Sequence, residues 1–296
     1  MGARNWWRGG AAVVLGAWLL AGCATLRPQP GPPPAAAEQP ALPGRYQLRV
    51  GPRFVFLTDF ELKRDLPLLK ELEGLEDQVT RTLRLPPSEQ LVKVYIFADR
   101  HHYERYMDAH FKNLPARRAF FMARADERFG DELMVFAFWG PRLQEDLRHE
   151  LTHALLHSVL KGVPMWLDEG LAEYFEVPPH WQGVNHRHLA ALRSTQPGVP
   201  WTPDLARLER LTLVKDMTPA DYREAWAWVH FLLHSTPQAR SVLLAYLHDL
   251  QAAKAPGPFE PRLAAVIPSP ETALRQHIAK LEASRNLGTL ADPLPP

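Results

Sequence analysis

The chain has 296 residues, of which 46% are hydrophobic and 23% are charged, so its length allows one large domain or two small ones with a real core. Its formal net charge of +1 excludes a dedicated nucleic-acid binder, and nine Trp, thirteen Phe and seven Tyr exclude a mainly disordered chain. A single cysteine excludes a framework of intramolecular disulfides.

Residues 1–22 have the pattern of a secretory signal peptide. Arg4 and Arg8 are followed by an apolar stretch that is too short to span a bilayer as a mature helix. The stretch ends at Leu20-Ala21-Gly22-Cys23, which resembles the lipobox of bacterial lipoproteins, in which the cysteine carries lipid. The resemblance implies a membrane anchor at Cys23 in the bacterial cell envelope. The alternative is an ordinary signal peptide with an incidental cysteine.

A tether is predicted over residues 23–44, where seven prolines and few large apolar side chains leave too little surface to bury. Ala24 stands where an aspartate commonly retains lipoproteins in the inner membrane, which favours the outer membrane. The Pro-rich end at 287–296 is predicted to be a flexible tail.

The segment 45–140 is predicted to be an α+β subdomain with a small mixed sheet. Runs of β-branched and aromatic residues predict strands at 46–50, 54–57, 91–97, 119–123 and 133–138, and helical patterns cover 62–83 and 101–107. From residue 141 to 286 helix signals dominate, which predicts a mostly helical subdomain.

One helix is predicted over about 142–161, with a leucine row that faces the core and a histidine row on another side. The histidine row contains His149-Glu150-Leu151-Thr152-His153, an HExxH motif. Two imidazoles one turn apart can bind the same Zn²⁺, and Glu150 projects close enough to contact a metal-activated water.

A zinc site of this kind needs a third protein ligand, and a second short helix follows at 166–176. Glu169 and Glu173 share one face of that helix. The short link between the helices lets the second fold back on the first, so Glu169 is predicted to complete the ligand set. Glu173 is predicted to bond a ligand imidazole from outside the metal site. If Glu169 is not the ligand, Glu173 is the candidate.

The HELTH sequence followed by the acid of Trp166-Leu167-Asp168-Glu169-Gly170 resembles the gluzincin metallopeptidases, whose third zinc ligand is the glutamate of such a helix. The segment looks most like the peptidase MA-like group, which is similar to the catalytic domain of the M1 aminopeptidases. The resemblance implies a zincin-like fold, one Zn²⁺ per chain and hydrolysis of peptide bonds in a peptide or protein substrate. No Gly-x-Met-Glu-Asn sequence precedes the HExxH helix, so aminopeptidase specificity is not supported.

A further helix start at Thr218-Pro219 places Tyr222 in its first turn. The segment resembles the M1 helix whose early tyrosine points into the site, which implies that Tyr222 donates a hydrogen bond to the developing oxyanion. The alternative is a tyrosine that only packs at a helix start.

The parts together predict hydrolysis by a metal-activated water with Glu150 as general base. By resemblance, the strand at 132–138 would be the edge strand that pairs with an extended substrate. The alternative is a non-hydrolytic envelope lipoprotein that uses a zincin-like fold for binding or assembly.

Several other histidines and two arginines are predicted to lie outside the ligand set. His157 is predicted to lie outside the ligand set, in contact with solvent or with a residue around the site. Surface positions are predicted for His101, His102, His180, His186 and His188. Arg117 and Arg118 are predicted to be a solvated pair.

Overall fold

The computed structural model describes residues 40–112, 117–124, 131–193 and 201–286. The predicted signal peptide, Cys23, most of the predicted tether and the tail at 287–296 lie outside these residues. All described residues belong to one compact unit. Within them, no helix has the length and apolar character needed to cross a membrane.

A five-stranded mixed sheet forms the first part of the described chain. Its strands are β1 (Tyr46–Val50), β2 (Phe54–Thr58), β3 (Val92–Phe97), β4 (Ala119–Arg124) and β5 (Glu132–Phe138). The spatial order is β1, β2, β3, β5, β4, with β2, β3 and β5 parallel and both outer strands antiparallel to their neighbours. All five predicted strands are present, with ends that shift by at most one residue.

The position of β5 differs from the prediction that 132–138 is an edge strand. β5 pairs with β3 on one side and with β4 on the other, so both of its backbone edges are used. The edge next to the helices is β4 instead. β5 is buried over Leu133–Ala137, as a strand with neighbours on both sides should be.

Helices cover both faces of this sheet. The helices around it are α1 (Pro67–Glu73), α2 (Leu75–Leu83), α3 (Arg100–His110) and α4 (Leu143–Val159). The alternation along β3 explains the two layers, because Val94 and Ile96 join the main core whereas Tyr95 and Phe97 join a smaller aromatic cluster with Tyr103 of α3.

The predicted helix over 62–83 is two helices in the structure. Pro67 holds Leu66 at φ −56° and ψ 128°, which is extended backbone, so the helix begins only at Pro67. Gly74 then ends α1 and precedes α2. The apolar pattern continues through both helices because α1 packs against β1 and α2 packs against α4.

The remainder of the described chain is helical, as predicted, and contains no strand in 141–193 or 201–286. Its helices are α5 (Met165–Phe175), α6 (His186–Arg193), α7 (Leu205–Glu209), α8 (Pro219–His234), α9 (Pro237–Gln251), α10 (Glu260–Ala264) and α11 (Pro270–Asn286), with short 3-10 turns at Pro179–Trp181 and Val214–Asp216. The α+β fold class predicted from the sequence is confirmed. The helix α5 packs between α4 and α8, and this arrangement positions the site.

Candidate metal centre and active site

The HExxH motif lies in the middle of α4, where the leucine row fixes its orientation. Leu147 and Leu151 are fully buried, so the opposite side of α4 carries the histidines toward α5. His149 and His153 are one turn apart, and their Nε2 atoms are 3.2 Å from each other. The helix therefore brings two ring nitrogens to one point, as the spacing predicts.

The helix α5 supplies the third group. The Oε2 atom of Glu169 lies 3.5 Å from Nε2 of His149 and 3.6 Å from Nε2 of His153. Glu169 is only 2% exposed, and its Oε2 atom has no hydrogen-bond partner in the described part of the chain. The three predicted ligands lie together and could hold a metal ion.

The geometry of these three atoms fits Zn²⁺. Ligands at about 2.0–2.1 Å from a tetrahedral ion are separated by about 3.4 Å, close to the three distances observed here. A buried carboxylate oxygen without a hydrogen bond costs free energy that a cation would recover. Two imidazole nitrogens and one carboxylate oxygen are also a donor set that zinc accepts in sites with an open fourth position.

Two further carboxylates hold the outer nitrogens of the imidazole rings. Nδ1 of His149 is 3.0 Å from Oε2 of Glu176, within a hydrogen bond. Nδ1 of His153 is 3.0 Å from Oδ1 of Asp168, although the two atoms are poorly aligned for a hydrogen bond. Both contacts favour a proton on Nδ1, so the Nε2 lone pairs face each other and Glu169. Lone pairs that face one another repel, so this arrangement is stable only when a cation or a shared proton lies between the atoms.

The pKa values of the ligand residues follow from these contacts. Burial disfavours the charged form of His153, but Asp168 and Glu169 outweigh it and raise the pKa to about 10. Burial likewise opposes ionisation of Glu169, yet His153 and His149 hold its pKa well below the usual range. The carboxylates are thus arranged to attract positive charge to the point where the three atoms meet.

Glu173 has a different partner from the one that the sequence predicts. Its Oε2 atom accepts a hydrogen bond of 2.7 Å from Nε2 of His188 in α6, whereas Glu176 bonds the ligand His149. Glu173 lies one turn beyond Glu169 on α5, so its side chain reaches α6 rather than the end of the His149 ring. Glu176 lies just past α5, where the chain turns back, and Asn185 fixes its other oxygen at 2.8 Å.

Two predicted catalytic residues line a cavity of about 650 Å³ next to His149. Glu150 is 7% exposed, and its carboxylate makes no hydrogen bond within the described part of the chain. Tyr222 is half-buried in the first turn of α8, and burial raises the pKa of its hydroxyl. The structure therefore brings a free carboxylate and a phenol to the open side of the ligand residues.

The cavity also carries basic residues that the sequence assigned to solvent. Arg118 forms hydrogen bonds of 2.6 Å and 2.9 Å to Oδ1 of Asp146 in α4. Arg117 donates to the hydroxyl oxygen of Tyr222 at 3.4 Å. The expectation of a solvated pair is confirmed for Arg118, whose side chain is 48% exposed, and is wrong for Arg117, which is partly buried just before β4.

The five histidines predicted to lie at the surface divide into two groups. His101, His102 and His180 are exposed, as predicted. His186 is 6% exposed and His188 is partly buried, so the surface prediction is wrong for both, since α6 packs against α8.

Sequence reasoning missed the roles of Asp168 and Glu176. Asp168 bridges the histidine row, since its Oδ2 atom is also 2.9 Å from Nε2 of His157. A signal was available for Asp168, because His157 continues the histidine row by one turn and an acid directly precedes Glu169. No sequence signal marked Glu176, because its contact depends on how the chain leaves α5.

The candidate ligands lie within a segment that matches a known family. A family described as a protein of unknown function (DUF1570) matches residues 145–256, less than half of the chain, and the match includes His149, His153 and Glu169. No curated protein matches the chain. Among solved structures, the chain is similar to the crystal structure of M1 zinc metallopeptidase from Deinococcus radiodurans, with a TM-score of 0.37 and 14% identity. The similarity covers 86% of this chain and 53% of that chain, so this chain spans about half of that protein's length.

Proposed function

We propose that the protein is a zinc-dependent metallopeptidase that hydrolyses peptide bonds with Glu150 as general base. The observation that carries the proposal is the convergence of two Nε2 atoms and one buried carboxylate oxygen at 3.2–3.6 Å from one another. The gluzincin pattern of the sequence supports the same function, because its three ligand positions are the three residues that meet.

His149, His153 and Glu169 would hold the ion. Zn²⁺, when bound, supplies a Lewis acid that polarises a carbonyl group and lowers the pKa of water toward neutrality. Asp168 and Glu176 keep the two imidazole rings in the tautomer that presents Nε2 to the ion, and thereby fix the orientation of both rings.

Glu150 would move the proton. Its carboxylate is buried, lines the cavity and has no hydrogen bond in the described chain, so its oxygens are available to accept a proton from the attacking water. The same group would then pass that proton to the leaving amine. Tyr222 would donate its hydroxyl proton in a hydrogen bond to the oxygen of the scissile carbonyl.

An extended peptide or protein substrate would enter along β4. The outer backbone edge of β4 has no partner strand among the described residues, and β4 packs directly on α4. An edge strand of this kind can pair with an extended segment through main-chain hydrogen bonds. β4 thus takes the role that the sequence assigned to 132–138.

We also propose that the protein acts in the bacterial cell envelope, anchored to a membrane, with the outer membrane favoured, through lipid on Cys23. Support for this location comes from the pattern of residues 1–23 and from the Pro-rich stretch that follows.

The test measures zinc per chain by mass spectrometry in the purified protein and in Glu169→Gln. We expect about one zinc per chain in the unchanged protein and little in Glu169→Gln, since one charged ligand is lost. Glu173→Gln is the matched control on the same helix face and is expected to retain zinc. Absence of zinc from the unchanged protein would overturn the proposal, and full retention in Glu169→Gln would move the third ligand to another acid.

Zinc-dependent cleavage is tested on a library of unstructured peptides. We expect cleavage that is lost on chelation and restored by added Zn²⁺. Bound zinc without any cleavage across the library would favour the non-hydrolytic alternative instead.

A further inference from the structure

The basic residues around the cavity differ in whether a carboxylate neutralises them. Arg118 pairs with Asp146, whereas Arg142 and Arg187 both pair with Glu145. These three guanidinium groups are therefore part of an ion-pair network on the α4 side of the cavity. Each of these groups already has a carboxylate partner in the protein, although two carboxylates serve three guanidinium groups.

Arg117 is the exception among the arginines that line the cavity. No carboxylate of the described chain lies within ion-pair distance of its guanidinium, and its hydrogen-bond partner there is the hydroxyl oxygen of Tyr222 at 3.4 Å. Arg117 is partly buried, so water cannot solvate the guanidinium completely. A cation in this state has donors left to bind an anion.

We propose that Arg117 binds a carboxylate group of the substrate and so selects peptides with an acidic group close to the cleaved bond. This inference rests on the proposed peptidase function. A guanidinium offers two parallel N–H donors that match the two oxygens of a carboxylate. The contact with Tyr222 places this donor pair beside the residue assigned to the scissile carbonyl, so the bound acid lies near the cleaved bond.

A second cation of the cavity wall is also without a carboxylate partner in the described chain. Lys215 also lines the cavity and has no carboxylate within ion-pair distance among the described residues. It lies on the 3-10 turn that precedes α8, and Tyr222 follows it in sequence by seven residues. Lys215 therefore adds one cation to the cavity wall. Among the acids of the wall, Glu145 and Asp146 pair with other arginines, and Glu173 and Glu176 bond histidines.

The first test uses small zinc-binding probes with the zinc-loaded full chain. The probes are the monohydroxamates of succinic, glutaric and adipic acid, each compared with its primary-amide counterpart, so that three chain lengths span different distances. Acetohydroxamate, which has no second group, reports the metal site alone. Dissociation constants are measured by calorimetry for the unchanged protein, Arg117→Gln and Arg118→Gln.

We expect at least one acid probe to bind tenfold or more tightly than its amide in the unchanged protein. Arg117→Gln should remove this preference and leave acetohydroxamate binding unchanged, since the metal site is intact. Arg118→Gln removes the same charge from the same cavity and should keep the preference. Equal binding of acids and amides at all three lengths, or a preference that survives in Arg117→Gln, would overturn the inference. Failure of acetohydroxamate to bind would overturn the proposed metal site and this inference with it.

A second test identifies the source of the carboxylate. Binding of three matched peptides to the zinc-loaded chain is compared: one with a free C-terminus, one amidated, and one amidated with a glutamate side chain. The peptide whose advantage over the plain amide is lost in Arg117→Gln carries the recognised group. If neither acidic peptide has an advantage that depends on Arg117, the inference is wrong.

Discussion

In the proposed function, Glu150 is the residue whose chemistry separates hydrolysis from metal binding. Its carboxylate lies in the cavity wall and is not one of the three converging atoms. Replacing it with glutamine keeps the size and shape of the side chain but removes the ability to accept a proton. We therefore expect Glu150→Gln to retain about one zinc per chain and to lose peptide hydrolysis by about 10²–10⁴-fold, measured as kcat.

The control for this prediction is Glu104→Gln. Glu104 lies on α3, has a side chain that is 45% exposed and pairs with Arg100, so its loss should leave both zinc and activity unchanged. A Glu150→Gln protein with full activity would show that another group accepts the proton.

The site residues differ in how far the sequence could predict them. His149, Glu150 and His153 are fixed by one helical period, so local pattern alone places them together. The prediction of Glu169 needed one further assumption, namely that the short link between α4 and α5 folds α5 onto α4. Glu176 is brought in by a chain turn and Arg117 by the residues just before an edge strand, and neither has a periodic signal.

At the scale of elements, α5 carries the third candidate ligand, Glu169, and the position of this helix depends on one glycine. Gly170 faces α8, where a Cβ atom would lie 2.6 Å from the carbonyl oxygen of Ala225 and 2.9 Å from Cγ2 of Val229. The obstructing carbonyl is backbone and cannot rotate away. We expect Gly170→Ala to lower the free energy of unfolding by about 3 kcal/mol through overpacking and to weaken zinc binding, since Glu169 is displaced with the helix.

Urea unfolding followed by circular dichroism measures this effect, with Gly74→Ala as the matched glycine control. A Cβ at Gly74 would meet only the carbonyl oxygen of Glu71 at 3.6 Å, and the backbone there is right-handed helical. That change should be neutral or stabilising by up to about 1 kcal/mol. Equal stability of the two variants would show that α5 and α8 can separate without cost.

The predicted type of an element was correct where the local sequence pattern determines it. The predicted neighbours were wrong where contacts across the sheet determine them. The strand at 132–138 was found in sequence, but its neighbours could not be, because pairing with β4 depends on contacts across the sheet. The helix over 62–83 was overextended because its apolar period hides the effect of Pro67 on the preceding backbone. Local chemistry thus determined what each segment forms, and long-range packing determined where it lies.

At the scale of the whole molecule, a pair of histidines, one buried and one partly exposed, joins α8 to the last described helix, α11. Nδ1 of His230 is 2.9 Å from Nε2 of His277, and His230 is only 2% exposed. The neighbouring α5 contributes Tyr174, whose hydroxyl is 2.8 Å from Nε2 of His234. The charged groups that act on these histidines are the cations Arg240 and Lys280.

These surroundings keep the histidine pair neutral. Burial, with a smaller contribution from His234 and Lys280, lowers the pKa of His277 to about 4. Burial and the other two histidines also lower the pKa of His230 well below its usual value. Each histidine therefore opposes protonation of the folded chain.

The pair predicts an acid-dependent loss of stability. Because the folded pKa of His277 lies below the ordinary value of 6.5, the unfolded chain binds protons that the folded chain excludes between these values. Its contribution to stability is complete above about pH 6.5 and is lost as the pH falls toward about 4. Between pH 7 and pH 5, we expect the unchanged protein to lose about 1–2 kcal/mol more than His277→Gln, because His277 is partly exposed and screened.

Urea unfolding of both proteins in chelator at the two pH values measures the difference without any contribution from metal release. His180→Gln, which removes an exposed histidine, should show the same loss as the unchanged protein. If His277→Gln loses as much stability as the unchanged protein, protons that bind elsewhere cause the acid sensitivity.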